Sequence, residues 1–328
     1  MQRKLLALLL LVALLTACAP QTTPTIAPAS TEVALTTAPA TEAPTAIPAD
    51  TTITLTDGLG REVKLTGPAQ RVVSLAPSNT EILFAVGAGP QVVGRDEFSD
   101  YPAEAAAVDS VGGSMGQYSA EAIVALKPDL VLAAEINTPE LVKQLEGLGL
   151  TVYYLKNPTT LEEMYGNLEI VGQLTGQDVT ELVDSLKARV QAVDEKIAPL
   201  SSRPTVFYEI DATDASKPYS YGPGTFGDLL IQRAGGANLV SLAGITDAYP
   251  QVSLEQLVAA NPSMIILGDS MWGVTPESVL ARAGWEGLDA VKNNQIFAFD
   301  DNLVSRPGPR LVDGLEQLAK LLHPDAFK

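Results

Sequence analysis

Short runs of β-branched and aromatic residues alternate along the chain with longer stretches in which apolar residues recur every three to four positions. The first pattern predicts buried strands, and the second predicts helices that pack against them. Strands interleaved with helices of this length favour βαβ units and mainly parallel sheets that are covered on both faces. We therefore predict an α/β protein. Its predicted strands are 71–76, 130–134, 151–155, 205–210, 264–268 and 295–299.

The two halves of the chain also repeat each other. Residues 80–89 align with 227–236, and residues 119–135 align with 253–269. In each copy the longer segment reads as a capped helix, a proline that stops it, and a buried strand. This repetition predicts two similar Rossmann-like lobes. The matched residues of the longer segment are Ser119 with Ser253, Glu121 with Glu255, and Pro128 with Pro262.

Residues 177–200 lie between the two halves and have the apolar spacing of one long amphipathic helix. Asp178 lies in its first predicted turn, and Pro199 marks its end. About 20 helical residues form a stiff rod of about 30 Å. We therefore expect lobes at 51–176 and 201–328, a ligand cleft between them, and little hinge closure. The apolar positions of the helix are Val179, Leu182, Val183, Leu186, Val190, Val193 and Ile197.

The N-terminus has the pattern of a bacterial secretory signal. Arg3 and Lys4 precede an apolar run over residues 5–15, which is shorter than the roughly 20 apolar residues of a spanning helix. The following LLTAC resembles a lipobox, so we expect residues 1–17 to be removed and Cys18 to be lipidated. Cys18 is the only cysteine, and a secreted chain with one cysteine forms no internal disulfide.

The next segment and the overall charge limit the partners of the protein. Residues 19–50 hold nine Ala, eight Thr and six Pro, without Lys, Arg or aromatic residues, so we expect a disordered tether over residues 18–50. The formal net charge of −18 argues against nucleic acid and against anionic lipid surfaces. We therefore expect an extracytoplasmic monomer that is anchored to the cell membrane by its lipid alone.

The residues needed for catalysis are scarce. His323 is the only histidine, which leaves Ser-His-Asp and Cys-His schemes without an obvious base and excludes His-rich metal sites. Gly222, Gly224 and Gly227 spell the G-x-G-x-x-G of dinucleotide-binding loops, but they follow a polar loop instead of a strand. We interpret them as a tight helix start. We expect no catalysis, cofactor or metal, and a nucleotide-dependent enzyme is the alternative of another class.

Several segments together resemble the helical-backbone periplasmic binding proteins of ABC importers, the group that serves cobalamin, ferric siderophores and haem. The segments are RVVSLAPSNTEILFAVGAG, FSDYPAEA, GPGTFGDLLIQRAGGANLV, YPQVSLEQL and SRPGPRLVDGLE, and the resemblance covers about residues 70–325. It implies a small-molecule ligand held between the lobes and delivered to a permease dimer with its ATPase subunits. SDYP and YPQVS in one chain are most similar to the cobalamin-binding members.

Aromatic residues in the predicted cleft loops are the main candidates for ligand contact, because large flat ligands are held by apolar and aromatic surfaces with few polar groups. The resemblance adds Ser78 and Asn79 at a helix start and Arg306 as a polar contact. The alternative for Arg306 and Arg310 is a structural ion pair with carboxylates of the protein itself. Two arginines in a cleft also suit the carboxylates of citrate-type siderophores, so a ferric siderophore stays open, as does haem bound through a tyrosine. The loops also contain Phe98, and the aromatic residues assigned to the ligand are Tyr101, Tyr118, Tyr219, Tyr221, Tyr249 and Trp272.

Glu81 and Asp228 are aligned acids at the starts of equivalent predicted helices. The resemblance implies that one acid on each lobe pairs with arginines on the two permease subunits, and SNTE matches that motif at Glu81. The alternative is helix capping, because Ser78-x-x-Glu81 has the form of a capping box and Thr225-x-x-Asp228 approximates one.

Overall fold

The computed structural model describes residues 52–328, so the predicted signal peptide, Cys18 and the tether lie outside the described residues. The described part contains eleven strands and twelve α-helices. The strands are β1 Ile53–Thr56, β2 Glu62–Leu65, β3 Val72–Ser74, β4 Val92–Arg95, β5 Leu130–Ala134, β6 Val152–Leu155, β7 Thr205–Asp211, β8 Tyr219–Ser220, β9 Ala237–Asn238, β10 Met264–Leu267 and β11 Ile296–Ala298. The helices are α1 Pro77–Ala85, α2 Ala120–Ala125, α3 Pro139–Gly147, α4 Leu161–Thr175, α5 Thr180–Ile197, α6 Phe226–Arg233, α7 Leu239–Leu242, α8 Leu254–Ala260, α9 Pro276–Leu280, α10 Asp289–Lys292, α11 Asn302–Ser305 and α12 Leu311–Leu322.

The N-terminal lobe is built on a parallel sheet with the strand order β4-β3-β5-β6. Its central strand β5 is buried along its whole length, because both faces of the sheet are covered. Leu130 and Leu132 pack with residues of α1 and α4 on one face. Val131 and Ala133 pack with residues of α2 and α3 on the other. A β1-β2 hairpin, which the sequence patterns did not predict, precedes this sheet.

The C-terminal lobe repeats this arrangement. The parallel strands β9, β7, β10 and β11 occur in the same order as β4, β3, β5 and β6. The added strand β8 is antiparallel to β7 and pairs with its carboxyl-terminal part. Ser119 and Ser253 cap the equivalent helices α2 and α8, each accepting a hydrogen bond from a main-chain N–H. The predicted two-lobed, mainly parallel α/β fold is confirmed.

Helix α5 is the long helix predicted between the lobes. Its 18 residues correspond to a length of about 27 Å. It starts later than predicted, because Asp178 precedes the helix and accepts hydrogen bonds from the main-chain N–H and the hydroxyl of Thr180. The buried face joins α12, and Arg189 reinforces that contact through Asp313 at 2.5 Å and Glu316 at 2.9 Å. The residues of the buried face are Val183, Leu186, Val190, Val193 and Ile197.

One hydrophobic cluster runs through α4 and α5, both sheets and α12. The two lobes therefore share a continuous core beside the helix that connects them. Within residues 52–328, none of the helices is long and apolar enough to cross a bilayer.

Candidate functional site

Five aromatic side chains lie exposed in or near loops at the carboxyl ends of the parallel strands. Phe98 and Tyr101 follow β4, Tyr219 lies in β8, Tyr249 precedes α8, and Trp272 follows β10. Between 41% and 78% of each residue is exposed. Large apolar side chains gathered on an exposed surface mark a binding site more often than they mark packing. Four of the six aromatic residues assigned to the ligand are thus on the surface, and Phe98 joins them.

Tyr249 of the C-terminal lobe faces the N-terminal lobe. Burial raises the pKa of its hydroxyl, and the negative charges of Asp301 and Glu135 raise that pKa further. Glu135 directly follows β5, so the Tyr249 hydroxyl lies within electrostatic range of the carboxyl edge of the N-terminal sheet. The aromatic loops of the second lobe and the strand ends of the first therefore border one cleft.

Tyr221 was predicted to contact the ligand, but it is buried beside Tyr249. Its hydroxyl donates a hydrogen bond to Asp301 Oδ1 at 2.9 Å, and the Tyr208 hydroxyl donates to the same oxygen at 3.1 Å. The Tyr221 ring packs edge-on against Tyr249, with 6.0 Å between ring centroids. Burial raises the pKa of Asp301, although the tyrosine donors oppose this rise. The geometry therefore gives Tyr221 the role of supporting Tyr249.

Ser78, Asn79 and Tyr118, which the sequence also assigned to the ligand, are surrounded by the N-terminal lobe. Ser78 and Asn79 are buried in α1, and Asn79 Nδ2 donates to a main-chain carbonyl of β5 at 3.1 Å. The Tyr118 hydroxyl lies 2.7 Å from the carbonyl oxygen of Leu75 and 2.9 Å from Asp96 Oδ2. Burial and the charge of Asp96 raise the pKa of Tyr118. The burial of Ser78 and Asn79, and the internal hydrogen bonds of Asn79 and Tyr118, count against the predicted ligand contacts.

Four charged residues join the two lobes beside Tyr101. Glu81 Oε1 in α1 accepts hydrogen bonds from Arg306 Nη1 at 3.0 Å and from Arg310 Nη2 at 2.5 Å. Arg306 Nη1 also donates to Asp100 Oδ1 at 2.6 Å. The Arg310 guanidinium stacks over the Tyr101 ring, 3.9 Å from its centroid. We term Glu81, Asp100, Arg306 and Arg310 the interlobe ion cluster. It brings together Tyr101 and Arg306, two residues that the sequence assigned to the ligand.

Two cavities border the exposed aromatic residues. One of about 790 Å³ is lined by Tyr101 and Arg310, by Phe84 of α1, and by Leu186 of α5. The other, of about 550 Å³, lies beside Trp272 at the carboxyl ends of β7 and β10. Both volumes fall in the range of about 300 to 1,000 Å³ that is usual for small-molecule sites.

The burial of Glu81 and Asp228 bears on their predicted docking role. Glu81 belongs to the interlobe ion cluster. Asp228 accepts hydrogen bonds from Asn238 Nδ2 at 2.9 Å, from Ser241 Oγ at 2.9 Å and from Gln232 Nε2 at 2.8 Å. With these internal partners, neither carboxylate presents a charge to another protein in this conformation. The geometry counts against docking through either acid, because both networks would have to open.

The two predicted helix caps differ. Thr225 caps α6, since its hydroxyl accepts a hydrogen bond from the Asp228 N–H at 3.2 Å. The prediction of a capping box at Ser78 and Glu81 is wrong, because α1 begins at Pro77 and its N-cap is Ala76. The Glu81 side chain points to the arginines of the other lobe instead of the helix end.

The G-x-G-x-x-G segment is explained by close packing. A Cβ atom on Gly222 would lie 1.9 Å from the carbonyl oxygen of Asp247, and a Cβ atom on Gly227 would lie 2.2 Å from the Tyr221 ring. Only glycine fits at either position. The interpretation as a tight helix start therefore accounts for the motif without a bound phosphate.

A buried acid pair lies beside the smaller cavity. Glu209 in β7 receives two hydrogen bonds from the Arg282 guanidinium, at 2.5 Å and 2.8 Å. Asp269 follows β10, is buried, and has no hydrogen-bond partner for either carboxylate oxygen among the described residues. Burial, followed by the charge of Glu209, raises the pKa of Asp269 to about 7. Within the described part of the chain, no three His, Cys, Asp or Glu side chains are arranged to hold a metal ion.

Residues 72–303 match a protein family described as periplasmic binding protein. A Bacillus subtilis protein named as an uncharacterized ABC transporter substrate-binding lipoprotein is 34% identical over 261 residues, which cover 78% of this chain and 81% of that protein. A vitamin B12-binding protein of Vibrio cholerae is 31% identical over 259 residues, or 76% of this chain and 88% of that protein.

Solved structures show the same similarity in three dimensions. The periplasmic haem-binding protein RhuT from Roseiflexus sp. RS-1, in its apo form, matches this fold with a TM-score of 0.70 and 28% sequence identity. That match covers 79% of this chain and 99% of the other, and therefore includes both lobes.

Proposed function

Because the chain belongs to the periplasmic binding protein family, we propose that it captures a corrinoid, cobalamin, between its two lobes and delivers it to the permease of an ABC importer. Proteins of this family are solute-binding components of transport systems and are not enzymes. Similar proteins are named for vitamin B12 binding, for haem binding and for Fe3+-hydroxamate transport. The choice of cobalamin among these ligands is our proposal.

The exposed aromatic side chains at the cleft carry this proposal. A corrin ring is broad and carries methyl groups and amide side chains at its edge, and tyrosine and tryptophan provide wide contact surfaces with a polar tip. Tyr101 comes from the first lobe, and Tyr219, Tyr249 and Trp272 come from the second. The Vibrio cholerae relative, which is named for vitamin B12, adds support.

A ferric siderophore or haem is the second candidate. Arg306 and Arg310 provide guanidinium groups of the kind that bind carboxylates. Haem carries two propionates, and the RhuT structure with its TM-score of 0.70 is that of a haem-binding protein. Absorbance and calorimetric titrations with cobalamin, ferric citrate and haem separate the candidates directly. Binding of haem or ferric citrate without cobalamin would refute the corrinoid proposal.

Tyr249→Ala and Tyr101→Ala test the aromatic contacts. Each should weaken cobalamin binding by about 1 to 3 kcal/mol, the range for a truncated interface aromatic. Leu148→Ala is a matched control, because Leu148 is also exposed but precedes β6, at the opposite edge of the sheet. Equal affinities in all three variants and the wild type would show that the aromatic residues do not hold the ligand.

The matched acids Glu121 and Glu255 are better placed for docking than Glu81 and Asp228. Each lies exposed in the first turn of its helix, Glu121 in α2 and Glu255 in α8. One exposed valine accompanies each acid, Val124 on the first lobe and Val258 on the second. Two equivalent exposed charges suit a two-fold permease, where they would give orientation and a salt-sensitive encounter rate.

A further inference from the structure

In the interlobe ion cluster, the positive charges of two arginines are balanced by two carboxylates that differ in their exposure to water. The Glu81 side chain is 1% exposed and bonds both Arg306 and Arg310. The Asp100 side chain is 69% exposed and bonds Arg306 alone. If Asp100 turned away, the two arginines would face one carboxylate, and the cluster would carry a net positive charge next to the cleft.

If Arg306 lost its bond to Asp100, its guanidinium would need another acceptor, because the side chain has little access to water. Its side chain is 13% exposed, and Nη2 has one long contact, 3.4 Å to the carbonyl oxygen of Phe98. A guanidinium held in this way keeps donors directed toward the loop that carries Phe98, Asp100 and Tyr101. Phe98 and Tyr101 are exposed at the cleft. The place that the Asp100 carboxylate occupies on Arg306 therefore lies beside the predicted ligand surface.

We propose that Asp100 is a stand-in for an anionic group of the ligand, and that a phosphate or carboxylate replaces it on Arg306 when the ligand binds. This inference rests on the proposed function for the ligand's place in the cleft. Water competes for the Asp100 carboxylate, which is 69% exposed, so we expect its pair with Arg306 to contribute about 0 to 1 kcal/mol, as surface pairs do, and to be easily displaced. A ligand that buries its anion against Arg306 gains a stronger, charge-assisted contact. In the unliganded protein, Asp100 keeps the cluster neutral and disfavours small anions.

Removing the Asp100 charge tests the idea without any organic ligand. Thermal unfolding of Asp100→Asn is followed with added inorganic phosphate or citrate, against chloride at the same ionic strength. Asp109→Asn is the matched control, because Asp109 is an exposed acid of the same lobe that makes no ion pair in the structure. Asp100→Asn should gain more stability from phosphate or citrate than Asp109→Asn does. Adding Arg306→Gln should abolish the difference. Equal gains in the two single variants would overturn the proposal.

Ligand titrations identify the anion and separate this inference from the proposed function. Cobalamin contains a phosphodiester, cobinamide has the same ring without it, and ferric citrate provides carboxylates. Asp100→Asn should bind cobalamin or ferric citrate about 2- to 5-fold more tightly than Asp109→Asn, the equivalent of an exposed pair removed. Cobinamide should bind both variants equally. Weaker binding of both anionic ligands by Asp100→Asn would mean that Asp100 contacts the ligand, and the proposal would be wrong. If the wild type binds no corrinoid, the proposed function fails, and the phosphate and citrate experiment still decides the role of Asp100.

Discussion

Asp269→Asn should stabilise the protein, and the gain should depend on pH. Asp269 is buried, neither of its oxygens has a hydrogen-bond partner among the described residues, and the carboxylate of Glu209 disfavours its charged form. Arg282 is engaged by Glu209 in two hydrogen bonds, so it compensates Asp269 only weakly. An ionised Asp269 is therefore unfavourable in the folded protein. An asparagine has nearly the same shape, carries no charge and can donate to Glu209.

The magnitude follows from the pKa. Folding raises the pKa of Asp269 from 3.8 to about 7, because burial and Glu209 disfavour the charged form. At about 1.36 kcal/mol per unit the full effect is about 4 kcal/mol, and because Asp269 and Glu209 titrate together we expect about 2 to 4 kcal/mol. At a pH between 3.8 and about 7, Asp269 is protonated in the folded protein and ionised in the unfolded chain. Wild-type stability should therefore fall as pH rises from about 4 to about 7 and change little above that from this group.

Urea unfolding at a series of pH values checks this reasoning. The free energies of unfolding of wild type and Asp269→Asn should be similar below pH 4, and the variant should gain through the window up to about pH 7. Asp211→Asn is the control, since Asp211 is an exposed acid of the neighbouring strand whose pKa is lowered by hydrogen bonds from Thr213. It should show no such gain. Parallel stability curves for wild type and Asp269→Asn would refute the assignment of a buried carboxyl with a raised pKa.

Three further predictions concern the lipid anchor, the interlobe ion cluster and the docking surface. Cys18→Ala should move the protein from the membrane fraction to the supernatant, and an unchanged membrane fraction would contradict a lipid anchor at Cys18. Glu81→Gln should lower the free energy of unfolding by about 3 to 5 kcal/mol, because it leaves two nearly buried arginines without their shared carboxylate. Chemical denaturation measures this change, and a value below about 1 kcal/mol would disprove the structural role of Glu81. The double variant Glu121→Gln, Glu255→Gln should bind ligand normally but lose stimulation of the transporter's ATPase, and undiminished stimulation would remove both acids from the docking surface.

Much of the fold follows from local patterns in the sequence. Strands β5 and β10 are short β-branched or apolar runs after a proline, and their helices start at serines that cap in the structure as expected. The register of apolar positions predicts the buried face of α5 correctly. The hairpin β1-β2 was missed because the alternation of its strands, between exposed and partly buried residues in β1 and between exposed and buried residues in β2, extends over four positions only, which is too short a pattern to separate from a loop.

The candidate site was harder to predict than the fold. Loop position identified the exposed Tyr101, Tyr219, Tyr249 and Trp272, but it could not separate them from Tyr221, whose burial depends on Asp301, 80 positions away in sequence. The pairing of Glu81 with Arg306 and Arg310 joins positions more than 220 residues apart, so neighbouring residues suggested a helix cap instead. The match of Glu121 with Glu255 was visible in the duplication, but the sequence did not show that both side chains are exposed and therefore candidates for docking.

The continuous core through both lobes has a consequence for how the polypeptide folds as it is made. Helix α12 is one of the last elements of the chain, yet its Leu311, Leu315 and Leu318 complete the same apolar cluster as Leu130 of the first sheet and Val190 of α5. A nascent chain that has already formed the N-terminal sheet must therefore keep part of its interior uncovered until α12 has been added. Folding of the two halves is then tied to the synthesis of α12, and a stop before Leu311 would leave neither lobe with a finished interior.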